Sequence, residues 1–239
     1  MQSRRDFCNC AVLGGVAALA STPALAATVV DVCKPFTADD QKAISPDDAI
    51  AALKAGNDRY IAGKSLNCDL PAGIAATAKT QSPFACVLGC IDSRVAPELV
   101  FDQKVGGIFV ARVAGNVANV DNIGSFEFAT KVAGAKAIVV LGHSSCGAVK
   151  GAIGRAKVGD NLTALLSEIE PAIAATPFTG ERTSENDAFV ESVIESNVRA
   201  NMRKLTGNSP VIKALVDAGT VKIAGAICDL NSGRVTFLS

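Results

Sequence analysis

Four stretches of the chain, 84–89, 107–111, 137–142 and 221–227, are apolar apart from Lys222 near the start of the last, without the alternating polarity of a half-exposed strand. A strand that is apolar on both faces must be covered on both, and sheets of that kind are built from parallel strands whose crossovers lay helices over them. Helical apolar spacing fills the intervals at 122–132, 145–157, 162–175, 184–205 and 210–218. A short run at 234–238 follows the turn residues Asn231-Ser232-Gly233. The expected fold is therefore α/β: a mainly parallel central sheet of four strands plus a C-terminal edge strand, flanked by helices. Ahead of the first strand, Ser45-Pro46-Asp47-Asp48 places a cap, a first-turn proline and two acids in order, and Ile50, Leu53, Asn57, Tyr60 and Ile61 continue at helical spacing. An N-terminal helical arm over about 46–62 follows.

The 239 residues, 49% of them hydrophobic, suffice for one sizeable core. Lysine plus arginine balance aspartate plus glutamate at 23 each, with no basic run and no ladder of interleaved aromatics. That pattern argues against a nucleic-acid partner and fits a small, weakly charged substrate.

The beginning of the chain reads as an address. Ser3-Arg4-Arg5-Asp6-Phe7 is a twin-arginine pattern, residues 11–20 are modestly apolar, and Ala24-Leu25-Ala26 is a small-x-small cleavage site. The expectation is a signal peptide over 1–26, a single domain over 27–239, and export to the periplasm by twin-arginine translocation. The apolar run is too short for a stable membrane span. Six of the eight cysteines remain beyond the leader. Cys33 and Cys68 lie in polar, turn-rich surroundings and form a candidate disulfide, whereas Cys86 and Cys228 sit in apolar strand-like runs as small buried hydrophobes.

In a parallel sheet, ligands gather beyond the carboxyl ends of the strands. The first apolar run leads into Gly89-Cys90-Ile91-Asp92-Ser93-Arg94 and the third into Gly142-His143-Ser144-Ser145-Cys146-Gly147. If those two strands are neighbours, two thiols and the only histidine of the chain converge. Three sulfur or nitrogen donors with a fourth position left over is the pattern of a catalytic zinc site. Cys146 is expected in the first turn of a helix capped by Ser144 or Ser145, where the helix dipole favours the thiolate. Gly147 leaves room beside it for metal or substrate. Asp92 and Arg94 alternate with Cys90, so a guanidinium can hold the carboxylate ionised and aimed at the metal.

Cys90-x-Asp92-x-Arg94 followed by His143-x-x-Cys146 resembles the beta-class carbonic anhydrases, and the segments 109–116 and 124–129 are similar to stretches of that family. The resemblance implies one zinc ion per subunit and reversible hydration of carbon dioxide to bicarbonate and a proton, by attack of zinc-bound hydroxide oriented by Asp92 and Arg94. It also implies a homodimer or tetramer with the arm lying across the partner, and in some relatives a closed form in which the counterpart of Asp92 joins the zinc. Val113 departs from the family, which often carries asparagine there. Val87 stands where the bicarbonate-regulated subclass usually has tryptophan, which favours the open form. A lone histidine occupied by metal cannot relay protons, which leaves Tyr60, acidic groups, water chains or external buffer. Two other readings use the same scaffold: a carbon disulfide or carbonyl sulfide hydrolase, and a non-catalytic zinc-binding dimer. Cytidine deaminase chemistry is excluded by the lack of an H-x-E motif.

Overall fold

Residues 33–239 are described in a computed structural model; the twin-arginine pattern and cleavage site lie outside the described residues. The sheet has the order β2-β1-β3-β4-β5, with β1 at Ala85–Gly89, β2 at Ile108–Arg112, β3 at Ala137–His143, β4 at Lys222–Cys228 and β5 at Val235–Phe237. The first four strands are parallel, as the apolar runs predict, and the edge strand β5 is antiparallel to β4. Both central strands, β1 and β3, are buried along their whole length.

Side chains of the sheet divide by parity, as pleating requires. Val87, Val139 and Leu141 pack on one face against Ala49, Ile50 and Leu53 of helix α2, Pro46–Ile61. Helix α2 begins as its sequence predicts, with the Ser45 side chain accepting the Asp48 backbone N–H and Pro46 in the first turn. On the other face, Leu88, Ile138 and Val140 pack with Val198 and Leu205 of α9, Asp187–Gly207, and with Ile212 of α10, Pro210–Asp217. Helix α9 lies close to the sheet because Gly142 and Gly225 present no side chain to it. A Cβ on Gly225 would come within 2.7 Å of Met202 Sδ and 2.8 Å of Val198 Cγ1.

Several helices differ from expectation. Residues 122–132 form α5, Val120–Glu127, followed by a π turn at Phe128–Val132. The stretch 162–175 is two helices, α7 at Asp160–Ser167 and α8 at Glu170–Ala175, because Pro171 begins a helix more readily than it continues one. Three short helices carry no long periodic signal: α1 at Ala38–Ala43, α3 at Leu70–Thr77 and α4 at Pro97–Val100. Cys33 and Cys68 do form a disulfide, with Cα atoms 5.4 Å apart. No helix among the described residues is long and apolar enough to cross a membrane.

Candidate metal centre

The central strands β1 and β3 are hydrogen-bonded neighbours, with Gly89 opposite Leu141, so the residues that follow them emerge side by side. Cys90 comes directly after β1, His143 closes β3, and Cys146 follows three residues later. One ligand atom from each, two sulfurs and a nitrogen, all lie within 4.8 Å of one another, and all three residues are buried.

The local structure around Cys146 corrects one expectation. Helix α6 spans Gly147–Ile153, and Cys146 is itself the residue at the cap. Neither serine is free to cap: Ser144 Oγ accepts the Leu230 N–H, and Ser145 adopts a left-handed conformation, φ +53°. The Ser145 N–H is donated to Glu191 of α9 at 2.8 Å. A Cβ at Gly147 would meet nothing within 4 Å, so space is open beside the cysteine.

His143 is 1% exposed, and its Nδ1 lies 2.9 Å from the Ser144 carbonyl, which can accept only an N–H. That contact puts the proton on Nδ1 and leaves the Nε2 lone pair directed at the two sulfurs. Nε2 is buried without any hydrogen-bond partner. A buried polar atom without a partner is costly in a native interior, and a metal ion at the centre of the three donors removes that cost. The donor set and the orphaned nitrogen together fit zinc.

Without metal, the two cysteines behave as a pair. The hydrogen bond from Cys146 brings the Cys90 thiol down to about 4, against the opposing push of burial. The same hydrogen bond, burial and the Cys90 charge drive Cys146 up. The pair thus shares one proton between two sulfurs, with the charge favoured on Cys90. Burial disfavours the His143 imidazolium, but the Cys90 sulfur and the Ser144 carbonyl outweigh it and raise its pKa.

Asp92 and Arg94 form the expected fork. Arg94 Nε donates to Asp92 Oδ1 at 2.9 Å and Nη2 to Oδ2 at 2.7 Å, while the Arg94 backbone N–H adds a third bond to Oδ1 at 3.0 Å. These bonds hold the carboxyl well below the usual carboxylate range. Asp92 Oδ2 stands 3.8 Å from the unpartnered His143 Nε2, yet no Asp92 oxygen joins the cluster of donors.

A supporting layer was not legible beforehand. Arg112, the last residue of β2, donates from Nε to the Cys90 carbonyl at 2.8 Å and from Nη2 to the Asp92 carbonyl at 2.6 Å. The Gly115 N–H points at Cys90 Sγ, 3.3 Å away. Asn197 and Asn201 of α9 hold the turn at 114–118 from behind. Their signal in the sequence is two asparagines on the helix face that also carries Val190, Val193, Ile194, Val198 and Leu205. Of the remaining residues singled out, Val87 is fully buried in the core on the α2 side. Val113 packs among apolar side chains and lines a cavity of about 510 Å3 with Val117, Leu165 and Lys204. Tyr60 packs against Gly233 in the α2-side core, whereas Cys90 and Cys146 belong to a separate cluster with Val149 and Ile169.

A family model described as Carbonic anhydrase matches residues 85–235. The chain is 36% identical over 197 residues to Carbonic anhydrase 2 of Mycobacterium tuberculosis, covering 81% of this chain and 93% of that protein. It is also 36% identical over 198 residues to the carbonic anhydrase of Mycolicibacterium smegmatis, covering 82% and 94%. Among solved structures, a tetrameric beta-carbonic anhydrase of Sordaria macrospora superposes with a TM-score of 0.61 at 25% identity, covering 81% of this chain and 98% of the other. The Coccomyxa beta-carbonic anhydrase shares the fold with a TM-score of 0.63 at 23% identity, covering 80% and 85%.

Proposed function

The chain belongs to the beta-class carbonic anhydrase family, and on that footing we propose that Cys90, His143 and Cys146 hold one zinc ion per subunit for the reversible hydration of carbon dioxide to bicarbonate and a proton. The observation that carries the assignment is the three buried donors within 4.8 Å, with His143 Nε2 lacking any other partner. When bound there, zinc supplies a Lewis acid that makes a nucleophile available from water near neutral pH.

The chain's own groups do the rest. Two sulfur ligands offset the formal charge of the ion, and the Ser144 carbonyl keeps the imidazole in the tautomer that can ligate. Asp92, kept ionised by Arg94, accepts a hydrogen bond from the attacking water and turns its lone pair towards the carbon. Arg94 turns both Asp92 oxygens towards itself and neither joins the three clustered donors, which supports the open form, while a lone pair on the carboxylate remains for the water. The proton produced leaves through water, surface acids or buffer, since the one histidine is engaged as a ligand.

Export and self-association belong to the same proposal. The Cys33–Cys68 bridge suits an oxidising compartment beyond the cytoplasm, in keeping with a twin-arginine leader. Exposed Leu70, Ile74, Leu99, Phe128 and Val132 leave apolar surface for a second copy, and the Sordaria macrospora relative is described as tetrameric.

The test is stopped-flow carbon dioxide hydration with metal analysis on the same samples. Asp92→Asn should keep its zinc and lose about 10²–10⁴-fold in rate, the usual contribution of a positioned proton acceptor. Wild-type protein with full zinc and no hydration overturns the reading.

A further inference from the structure

We propose that Asn197 is a positioning residue for the Cys90 sulfur, acting through the left-handed turn at Gly115. The inference rests on the reading of Cys90 as a metal ligand.

The argument begins with the cost of an asparagine where it stands. Asn197 is 1% exposed, in the middle of α9 and between Ile194 and Val198 on its apolar face. A primary amide in such a place is unfavourable unless its hydrogen bonds are made, and an aliphatic side chain would pack there without that demand. Its bonds run in two directions. Nδ2 donates to the Gly115 carbonyl at 2.8 Å, and Oδ1 accepts from Asn201 Nδ2 at 3.1 Å. Asn201 is equally buried and uses its own Oδ1 to accept the Ala118 N–H at 2.8 Å. The two asparagines therefore clamp both ends of the turn that leaves β2.

At the front of that turn the Gly115 N–H points at Cys90 Sγ, 3.3 Å away. Its direction is set by the Gly115 backbone, at φ +69°, a region that favours glycine. A Cβ there would also stand 2.7 Å from Ile169 Cδ1, so any other residue has to push that fully buried side chain aside. With φ confined in this way, the Asn197 bond to the carbonyl on the far side of Gly115 fixes the remaining freedom of the turn. Losing that bond lets the glycine rotate and the N–H leave the sulfur. An N–H donated to a ligating sulfur draws charge from it, so its departure alters both the strength and the spectrum of the metal–sulfur bond.

The experiment uses Co(II) in place of zinc in the full-length mature protein, with two readouts: the sulfur-to-cobalt charge-transfer absorption and the Co(II) affinity in competition with a chelator. Asn197→Leu and Asn197→Ala are compared with Leu205→Ala, a buried residue of the same helix that packs in the α9-side core. Leucine keeps the branched four-atom shape of the side chain if alanine prevents folding. Both Asn197 variants should shift the charge-transfer band and weaken Co(II) binding at least tenfold, the usual effect of losing a group behind a ligand. Leu205→Ala should lower the melting temperature and leave band and affinity as in wild type. An unchanged band in the Asn197 variants, or the same change in Leu205→Ala, overturns the positioning role while leaving the metal site standing. A wild-type protein that binds Co(II) without any sulfur band removes Cys90 as a ligand, and the proposal falls with it.

Discussion

Replacing both Cys33 and Cys68 by serine isolates the contribution of the one covalent link in the described chain. The bridge closes a segment with a sequence separation of 35 residues, which contains α1 and α2. Cross-linking removes loop-closure entropy from the unfolded chain, and for a loop of this length the chain-entropy relation gives about 4 kcal/mol at 25 °C. For a protein of this size that is a fall of roughly 8–16 °C in melting temperature. The folded arm should survive, because Ala49, Ile50 and Leu53 of α2 remain buried against the sheet. Neither Cys90, His143 nor Cys146 lies inside the loop, so metal content should not change. The assay is urea and thermal unfolding of the zinc-loaded double variant, with metal analysis before and after. Thiol reductants are avoided, since they compete for zinc. A loss of less than about 1 kcal/mol with the same denaturant dependence would refute the reasoning: the arm would then be held by packing alone.

Two further outcomes follow from the packing and from the charge state of the site. Gly225→Ala should cost about 1–3 kcal/mol in urea unfolding, because the new methyl meets Met202 and Val198 where α9 crosses β4; an unchanged midpoint would show that the helix lifts freely. Zinc binding should release about one to two protons near neutral pH, read by calorimetry in buffers of different ionisation enthalpy. The hydrogen-bonded cysteine pair, with Cys90 lowered and Cys146 raised, holds one shared proton for the metal to displace, and the charged part of His143 supplies the rest. Affinity should accordingly rise with pH while those two groups still carry protons, and no proton release at neutral pH would contradict the assignment of the thiol and thiolate.

How far the sequence reaches depends on whether a feature leaves a local trace. The four apolar runs match β1 to β4 to within a residue: β1 and β3 are buried on both faces and must be apolar throughout, while β2 and β4 admit a charge only at an exposed end, Arg112 and Lys222. The turn at 231–233 and the run after it locate β5. Helix α2 is legible from its cap and proline. Pro171 marks the division of α7 from α8, but the apolar spacing continues across the break and hides it. Helix α3 buries none of its residues and α4 has four, so neither has a stripe long enough to read.

The same division runs through the metal centre. Its candidate ligands are legible because each follows an apolar run, and a parallel sheet delivers whatever follows its strands to one edge. The adjacency of β1 and β3 and the capping position of Cys146 are tertiary outcomes. So is the layer behind the ligands: Arg112 reaches Cys90 across 22 residues, Glu191 reaches Ser145 across 46, and Asn197 reaches Gly115 across 82. Hydrogen bonds between residues so far apart impose no period on the chain, and only strand order and the seating of α9 on Gly142 and Gly225 bring their donors and acceptors within 3 Å. By itself the sequence determined which atoms are available to bind a metal; the folded chain decided where their protons sit and which groups hold them in place.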